Sequence, residues 1–139
     1  MEWMIMPLRR YADFSGRSCR REYWMFALLN VLIIFALTLV IGFAVGFSAA
    51  VGTGAGAGLF GGIGGILLLI YGLGIIIPSI AVQVRRFHDQ DRSGWMVGIG
   101  FIPYIGALVV LVFMCLEGTR GPNQYGPDPL DPYNANVFN

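Results

Sequence analysis

Between Tyr23 and Val84 the sequence contains no charged residue, a run of 62 positions. A helix needs about 20 apolar residues to cross the hydrocarbon core of a bilayer, so this run can hold two crossings, or three that are tightly joined. Only 12% of the whole chain is charged and 56% is hydrophobic, whereas soluble domains carry about 25% charged residues. Lipid can solvate such an apolar exterior, and water cannot. The sequence therefore predicts an all-α integral membrane protein.

Basic residues on both sides of this run decide between two and three crossings. Two crossings place the two flanking clusters on the same side of the membrane, and three place them on opposite sides. The positive-inside rule favours the same side, the cytoplasm. We therefore predict two crossings, over about 24–47 and 63–84, with the N-terminus in the cytoplasm. The clusters are Arg17, Arg20 and Arg21 before the run and Arg85, Arg86 and Arg92 after it.

A third apolar run covers residues 95–116 and contains Pro103 and Gly106. A kinked third crossing is the simpler interpretation and would leave the irregular, Pro- and Gly-rich tail 117–139 outside. The alternative is a re-entrant hairpin that turns at Pro103–Gly106 and returns the tail to the arginine side. The favoured fold is a single membrane domain, residues 1–139, a small bundle of three transmembrane helices. An interfacial segment rich in Trp and Met precedes it.

The segment between the first two crossings, residues 48–65, is dominated by glycine. It can be a flexible apolar loop, since glycine costs up to about 1 kcal/mol per helical position relative to alanine. It can also be a packed helical extension or a self-association face, because glycines four residues apart form a groove for a second backbone. The glycines with this spacing are Gly42, Gly46, Gly54, Gly58 and Gly62.

The polar stretch 84–95 gathers residues of the types used in catalysis, His88, Asp89 and Ser93. A catalytic triad needs its acid to orient the histidine ring from behind, which adjacent residues rarely achieve. A single histidine without a neighbouring cysteine is a poor zinc site, because zinc normally takes three or four protein ligands. We therefore expect no catalysis, no bound metal and no cofactor.

An electrostatic role fits this stretch better, because a helix C-terminus favours cations and an acid near the membrane is more tolerable beside an arginine. We predict an interfacial network of ion pairs and headgroup contacts. Independent, solvated charges that contribute little each remain the alternative. His88 can act there as a pH sensor or as an ordinary hydrogen-bonding residue. The network would comprise Arg17, Arg20, Arg21, Glu22, Arg85, Arg86, His88, Asp89 and Arg92.

Three blocks of sequence resemble the bacterial family known as domain of unknown function 805. They are FSGRSCRREYW from Phe14, RRFHD from Arg85 with RSGW from Arg92, and GTRGPNQYGPDP from Gly118. The resemblance implies an integral protein of the bacterial inner membrane and brings no established activity. The chain departs from the family pattern in its glycine-rich segment 48–65, at Asp91 and at Glu117.

The sequence favours a small membrane scaffold or accessory protein that contacts anionic lipid headgroups and self-associates or binds another membrane protein. The alternative is a homo-oligomeric channel or small-solute transporter. Against transport, the crossings contain no ionisable residue, the usual mark of an ion pathway. A net charge of +1 gives no reason to expect binding to nucleic acid.

Overall fold

The computed structural model describes residues 2–130, and the regular elements in that range are helical. The elements are α1 (Glu2–Arg9), α2 (Arg20–Ala50), α3 (Gly54–Asp89), a 3₁₀ helix (Gly94–Phe101) and α4 (Ile105–Cys115). The chain divides into two compact units. One contains the residues up to Phe26 and those from Ile77 onward, and the other contains Ala27–Ile76.

Helices α2 and α3 are the two elements that are long and apolar enough to cross a membrane. Their 31 and 36 residues correspond to about 46 and 54 Å at 1.5 Å per residue, more than the ~30 Å hydrocarbon core. Large apolar side chains such as Val40 and Phe43 are mostly exposed along them. Both helices extend several residues beyond the predicted crossings.

The unit Ala27–Ile76 contains a tight turn where a loop was one of the two expectations. Only residues 51–53 separate the helices, and α3 begins at Gly54. Gly52 takes the left-handed φ of +79°, and the Thr53 amide and hydroxyl donate to the Ser48 carbonyl at 2.9 and 2.8 Å. The flexible-loop interpretation of 48–65 is wrong, because this short capped turn lets both helices continue through the glycines.

Different glycines from those predicted pack against the neighbouring helix within this unit. A Cβ at Gly64 would lie 2.6 Å from Ile41 Cγ2, and one at Gly61 would lie 3.8 Å from Val45 Cγ2. Tyr71 also donates to Asn30 Oδ1 at 2.6 Å. The five predicted packing glycines face no described atom within 4 Å of their Cβ positions, so they take no part in packing within the unit. They are Gly42, Gly46, Gly54, Gly58 and Gly62.

Residues 95–116 do not form the single crossing that was favoured. The 3₁₀ helix ends at Phe101, and the backbone turns sharply at Tyr104, whose φ is +66°. Across this turn, the Ile105 amide donates a hydrogen bond of 2.8 Å to the Pro103 carbonyl. This is a γ-turn, a rare and strained conformation. The two arms then pack together, since a Cβ at Gly106 would lie only 2.1 Å from the Ile99 carbonyl oxygen.

This hairpin is too short to span a bilayer. The eight-residue 3₁₀ arm and the 11-residue α4 arm are each about 16 Å long, roughly half of the hydrocarbon core. Val110 and Met114 of α4 pack with Phe87 of α3 in a small hydrophobic core. The arrangement matches the re-entrant alternative, because Pro103 interrupts the helical hydrogen bonds and Gly106 permits close contact between the arms.

Candidate functional site

Two buried arginines near the end of α3 organise the polar residues of the unit. Arg85 and Arg86 are both completely buried. Successive residues on a helix point about 100° apart, so these two side chains reach different partners. Their position in the last turns of α3 is favourable, because the exposed carbonyls there carry partial negative charge. They form the centre of what we call the arginine cluster: Arg17, Glu22, Arg85, Arg86 and Asp89.

Arg85 joins α3 to the N-terminal segment and to the start of α2. Its guanidinium donates to Glu22 Oε1 at 3.0 Å and to the Asp13 carbonyl at 2.9 Å. Its own backbone carbonyl accepts a hydrogen bond of 3.1 Å from the Ser18 amide. Glu22 is as buried as its partner, so the pair is shielded from water. The structure pairs Glu22 with Arg85 and not with Arg86.

Asp89 receives two other arginines, one on each carboxylate oxygen. Arg17 Nε donates to Oδ1 at 3.0 Å, and Arg86 donates to Oδ2. The exposed fractions of the three side chains are 1% for Arg17, 0% for Arg86 and 6% for Asp89. Taking three charges out of water is costly unless each is paired and hydrogen-bonded, and here a single carboxylate is the ion-pair partner of two neighbouring cations.

The first residues of the tail are bound to the same cluster. Arg17 donates to the carbonyls of Thr119 and Gly121, and the Thr119 amide donates to the Asp89 carbonyl at 2.8 Å. A Cβ at Gly118 would lie 2.0 Å from Asp89 Oδ2, which explains the glycine there. The expectation that the tail lies across the membrane from the arginines is therefore wrong for residues 117–130. Residues 131–139 lie outside the described range.

Three side chains satisfy the carbonyls at the end of α4. Arg86 donates to Leu116, Arg20 donates to Cys115 at 3.3 Å, and the Gln90 amide donates to Phe113. The last four carbonyls of a helix have no partner within the helix, so these contacts hold the returning arm of the hairpin at the level of the cluster. Arg20 also forms an exposed ion pair of 3.0 Å with Glu117.

His88 is held at two points beside the cluster. Its Nδ1 lies 3.2 Å from the Gly16 carbonyl, and its ring stacks on that of Tyr125 at 3.9 Å. The Asn123 amide also donates to its backbone carbonyl at 2.8 Å. Asp89 turns its carboxylate to the arginines, and Ser93 accepts from the Trp95 amide at 3.4 Å as the N-cap of the 3₁₀ helix. These three residues do not form a triad.

Two of the arginines predicted to join the network lie outside it. Arg92 stacks on Phe113 with its guanidinium carbon 4.7 Å from the ring centre. Arg21 is exposed and forms no ion pair with any residue of the described range. Across residues 2–130, no group of three His, Cys, Asp or Glu side chains is placed to hold a metal ion. The two cysteines are unpaired, and burial raises the pKa of Cys19.

Several residues that complete the site were missed in the sequence. Asp13 lies in the N-terminal segment, where burial alone would raise its pKa. Hydrogen bonds from Ser15 and Arg10 outweigh that effect and lower the pKa to about 2. Asp128 accepts from the Gly121 and Leu130 amides at 3.0 and 2.9 Å. For Asp128 the available signal was the third sequence block, which contains it, whereas Asp13 lies just before the first block.

Comparison with known proteins places this site in a family. Residues 11–127 match the family described as "Protein of unknown function (DUF805)". The chain belongs to this family. It is 43% identical over 133 residues to Inner membrane protein YhaH of Escherichia coli K12, which covers 95% of this chain and all of that protein. It is 39% identical over 132 residues to Inner membrane protein YhaI of the same organism, covering 93% and 96%.

No solved structure matches the chain. The match between the chain and the family extends over the whole arginine cluster and the tail residues that bind it. It confirms the resemblance found in the three sequence blocks. The relatives are named only as inner-membrane proteins. Their names therefore support a membrane location and supply no activity.

Proposed function

We propose that this DUF805 protein crosses the inner membrane twice, through α2 and α3, with residues 94–115 re-entering from the cytoplasmic side. The observation that carries this topology is the binding of tail residues Thr119 and Gly121 to Arg17, which requires both ends of the described chain to lie on one side. All nine basic residues then lie on that side, and the connection at 51–53 has no charge. The positive-inside rule assigns the basic side to the cytoplasm.

Fusion reporters test this topology. Alkaline phosphatase is active outside the cytoplasm and a fluorescent protein is bright inside it. We expect fluorescence and no phosphatase activity for fusions after Asn139, and the reverse for a reporter inserted at Gly52. Phosphatase activity after Asn139 would refute the double crossing.

For function, we propose a membrane scaffold whose cytoplasmic face binds anionic lipid headgroups. The side chains of the cluster are buried, whereas Arg9, Arg21 and Arg120 are exposed. Arg120 is 94% exposed and its nearest carboxylate, on Glu117, is 4.0 Å away. A basic residue near an anionic membrane surface contributes about 1 kcal/mol to binding. Arginine also suits phosphate, because its planar guanidinium donates two parallel hydrogen bonds.

Lipid retention measured by native mass spectrometry tests the headgroup role. We expect the purified protein to retain phosphatidylglycerol in preference to phosphatidylcholine, and the double variant Arg21→Gln with Arg120→Gln to lose this preference. Arg10→Gln is the control, because Arg10 is already neutralised by Asp13 at 2.6 Å. Equal loss of retained lipid in the control and the double variant would count against the proposal.

We also propose self-association in preference to a channel, and no catalytic role. The glycines at 42, 46, 54, 58 and 62 face no described atom and are open to a second copy. The Thr38 hydroxyl, a candidate pore-lining group, bonds to the Ile34 and Phe35 carbonyls of its own helix at 2.9 Å. The same mass spectra give the oligomeric state, and a strict monomer would exclude both self-association and a multi-subunit pore.

A further inference from the structure

A groove of about 580 Å³ lies between the last turns of α3 and the 3₁₀ helix. Its volume falls within the ~300–1,000 Å³ of small-molecule sites. Its walls are largely apolar and include Ile80, Val84 and Phe101, and none of its lining residues is charged. His88 and Ser93 bring polar atoms to one part of it.

His88 offers this groove one fixed hydrogen-bond acceptor. The Gly16 carbonyl can only accept, so the bond of 3.2 Å at Nδ1 places the ring proton there and leaves the lone pair on Nε2. Stacking on Tyr125 fixes the plane of the ring. A Cβ at Gly94 would lie 3.1 Å from Nε2 and 2.7 Å from Val84 Cγ1, so glycine keeps the nitrogen accessible. No residue of the described chain donates to Nε2.

The polar and apolar parts of the groove lie at opposite ends. Ile80, Val84 and His88 are spaced four residues apart on one face of α3 and extend over about 12 Å. Along the opposite wall, Gly94 lies near His88, and Phe101 is about 14 Å further along the 3₁₀ helix. The apolar end therefore continues into the hydrophobic part of α3. A molecule with a polar head and one apolar chain matches this polarity.

We propose that the groove binds an isoprenoid quinol, an aromatic ring with hydroxyl groups carried on a long apolar chain. One hydroxyl donates to His88 Nε2, and the ring packs among Phe14, Trp95 and Tyr125, which line the groove. A phospholipid fits less well, because no arginine lines the groove to receive its phosphate. A diacylglycerol has a non-aromatic head and two chains. The proposal concerns binding and includes no electron transfer.

Quenching of tryptophan fluorescence tests the proposal on the full chain in detergent micelles. Trp95 is 92% exposed beside the groove, and the probe is decylubiquinol under anaerobic conditions. We expect saturable quenching that is largely lost in Trp95→Phe. We also expect decylubiquinol to bind about three- to tenfold more tightly than its dimethyl ether, which has no hydroxyl to donate, from the typical value of one hydrogen bond. In His88→Phe this preference should disappear.

Glycine variants supply a matched control for the shape of the groove. Gly94→Ala should abolish saturable binding, because the new methyl group fills the space before Nε2. Gly100→Ala should retain it, since the added Cβ meets only Val110 Cγ2 at 3.5 Å. If His88→Phe or Gly94→Ala does not fold, the wild-type protein still decides the matter. The proposal is overturned if decylubiquinol and its dimethyl ether bind with equal affinity, or if the quenching never saturates. It is also overturned if dioleoylglycerol displaces decylubiquinol as effectively as a second quinol does.

Discussion

Replacing Asp89 by Asn changes few atoms but should destabilise the protein strongly. The change removes the one carboxylate that pairs with both Arg17 and Arg86, whose side chains are 1% and 0% exposed. Removing one partner of a buried ion pair costs about 3–5 kcal/mol, because the remaining charge stays buried without compensation. Two cations are left here, so we expect a loss of at least about 3 kcal/mol.

Glu117→Gln is the matched control for this change. It removes the same kind of charge from the Arg20 pair, whose side chains are 46% and 67% exposed. Exposed ion pairs contribute about 0–1 kcal/mol, so the control should remain near wild type. The assay is reversible unfolding in mixed micelles titrated with dodecyl sulfate. Hydrogen exchange at the Thr119 amide should also accelerate only in Asp89→Asn. A difference between the two variants below about 1 kcal/mol would refute the argument.

Three other perturbations follow from the same geometry. Exchanging the charges of Glu22 and Arg85 should restore part of the stability that each single reversal loses. The same exchange between Glu22 and Arg86 should restore none. A double-mutant cycle of unfolding free energies measures both couplings. The Asp13 carboxylate should titrate at about 2 by NMR; because this pKa is below the usual value of 3.8, its stabilising contribution is complete above about pH 4 and is lost as pH falls toward 2, and a midpoint near 4 would contradict the contacts described. Gly64→Ala should lower the midpoint of unfolding by overpacking worth about 1–3 kcal/mol against Ile41, while Gly42→Ala, with no described atom within 4 Å, should match or exceed wild-type stability; equal effects would show that Gly64 is not at a packed position.

The prediction of apolar helices from the sequence rests on a local property. An uncharged run from Tyr23 to Val84 is too long and too hydrophobic for most alternatives, and lipid leaves backbone groups no partner outside a helix or a closed barrel. The role of the glycines was harder to predict from the sequence. Glycine disfavours a helix by its own propensity, and only the contact between Gly64 and Ile41 shows why α3 nevertheless begins at Gly54.

The residue types of the candidate site could be predicted from the sequence, but the partner of each residue could not. The pattern indicated that arginines and acids would meet at the end of the second apolar helix. Two neighbouring arginines look equivalent in sequence, but the helical rotation between them sends Arg85 to Glu22 and Arg86 to Asp89. Thr119 and Asn123 had no visible role, because their partners are backbone carbonyls more than 25 residues away in the chain.

The sequence by itself determined the class of this protein, its membership of the DUF805 family and the location of its polar residues between apolar runs. These properties depend on composition and order along the chain. Only the tertiary structure showed that residues 95–116 fold back on themselves as a hairpin. A crossing and a re-entrant hairpin bury the same apolar residues, so hydrophobicity cannot separate them. The turn at Tyr104 reverses the chain, and the long-range bonds from Arg17 and Arg86 hold Gly121 and Leu116 beside the arginine cluster.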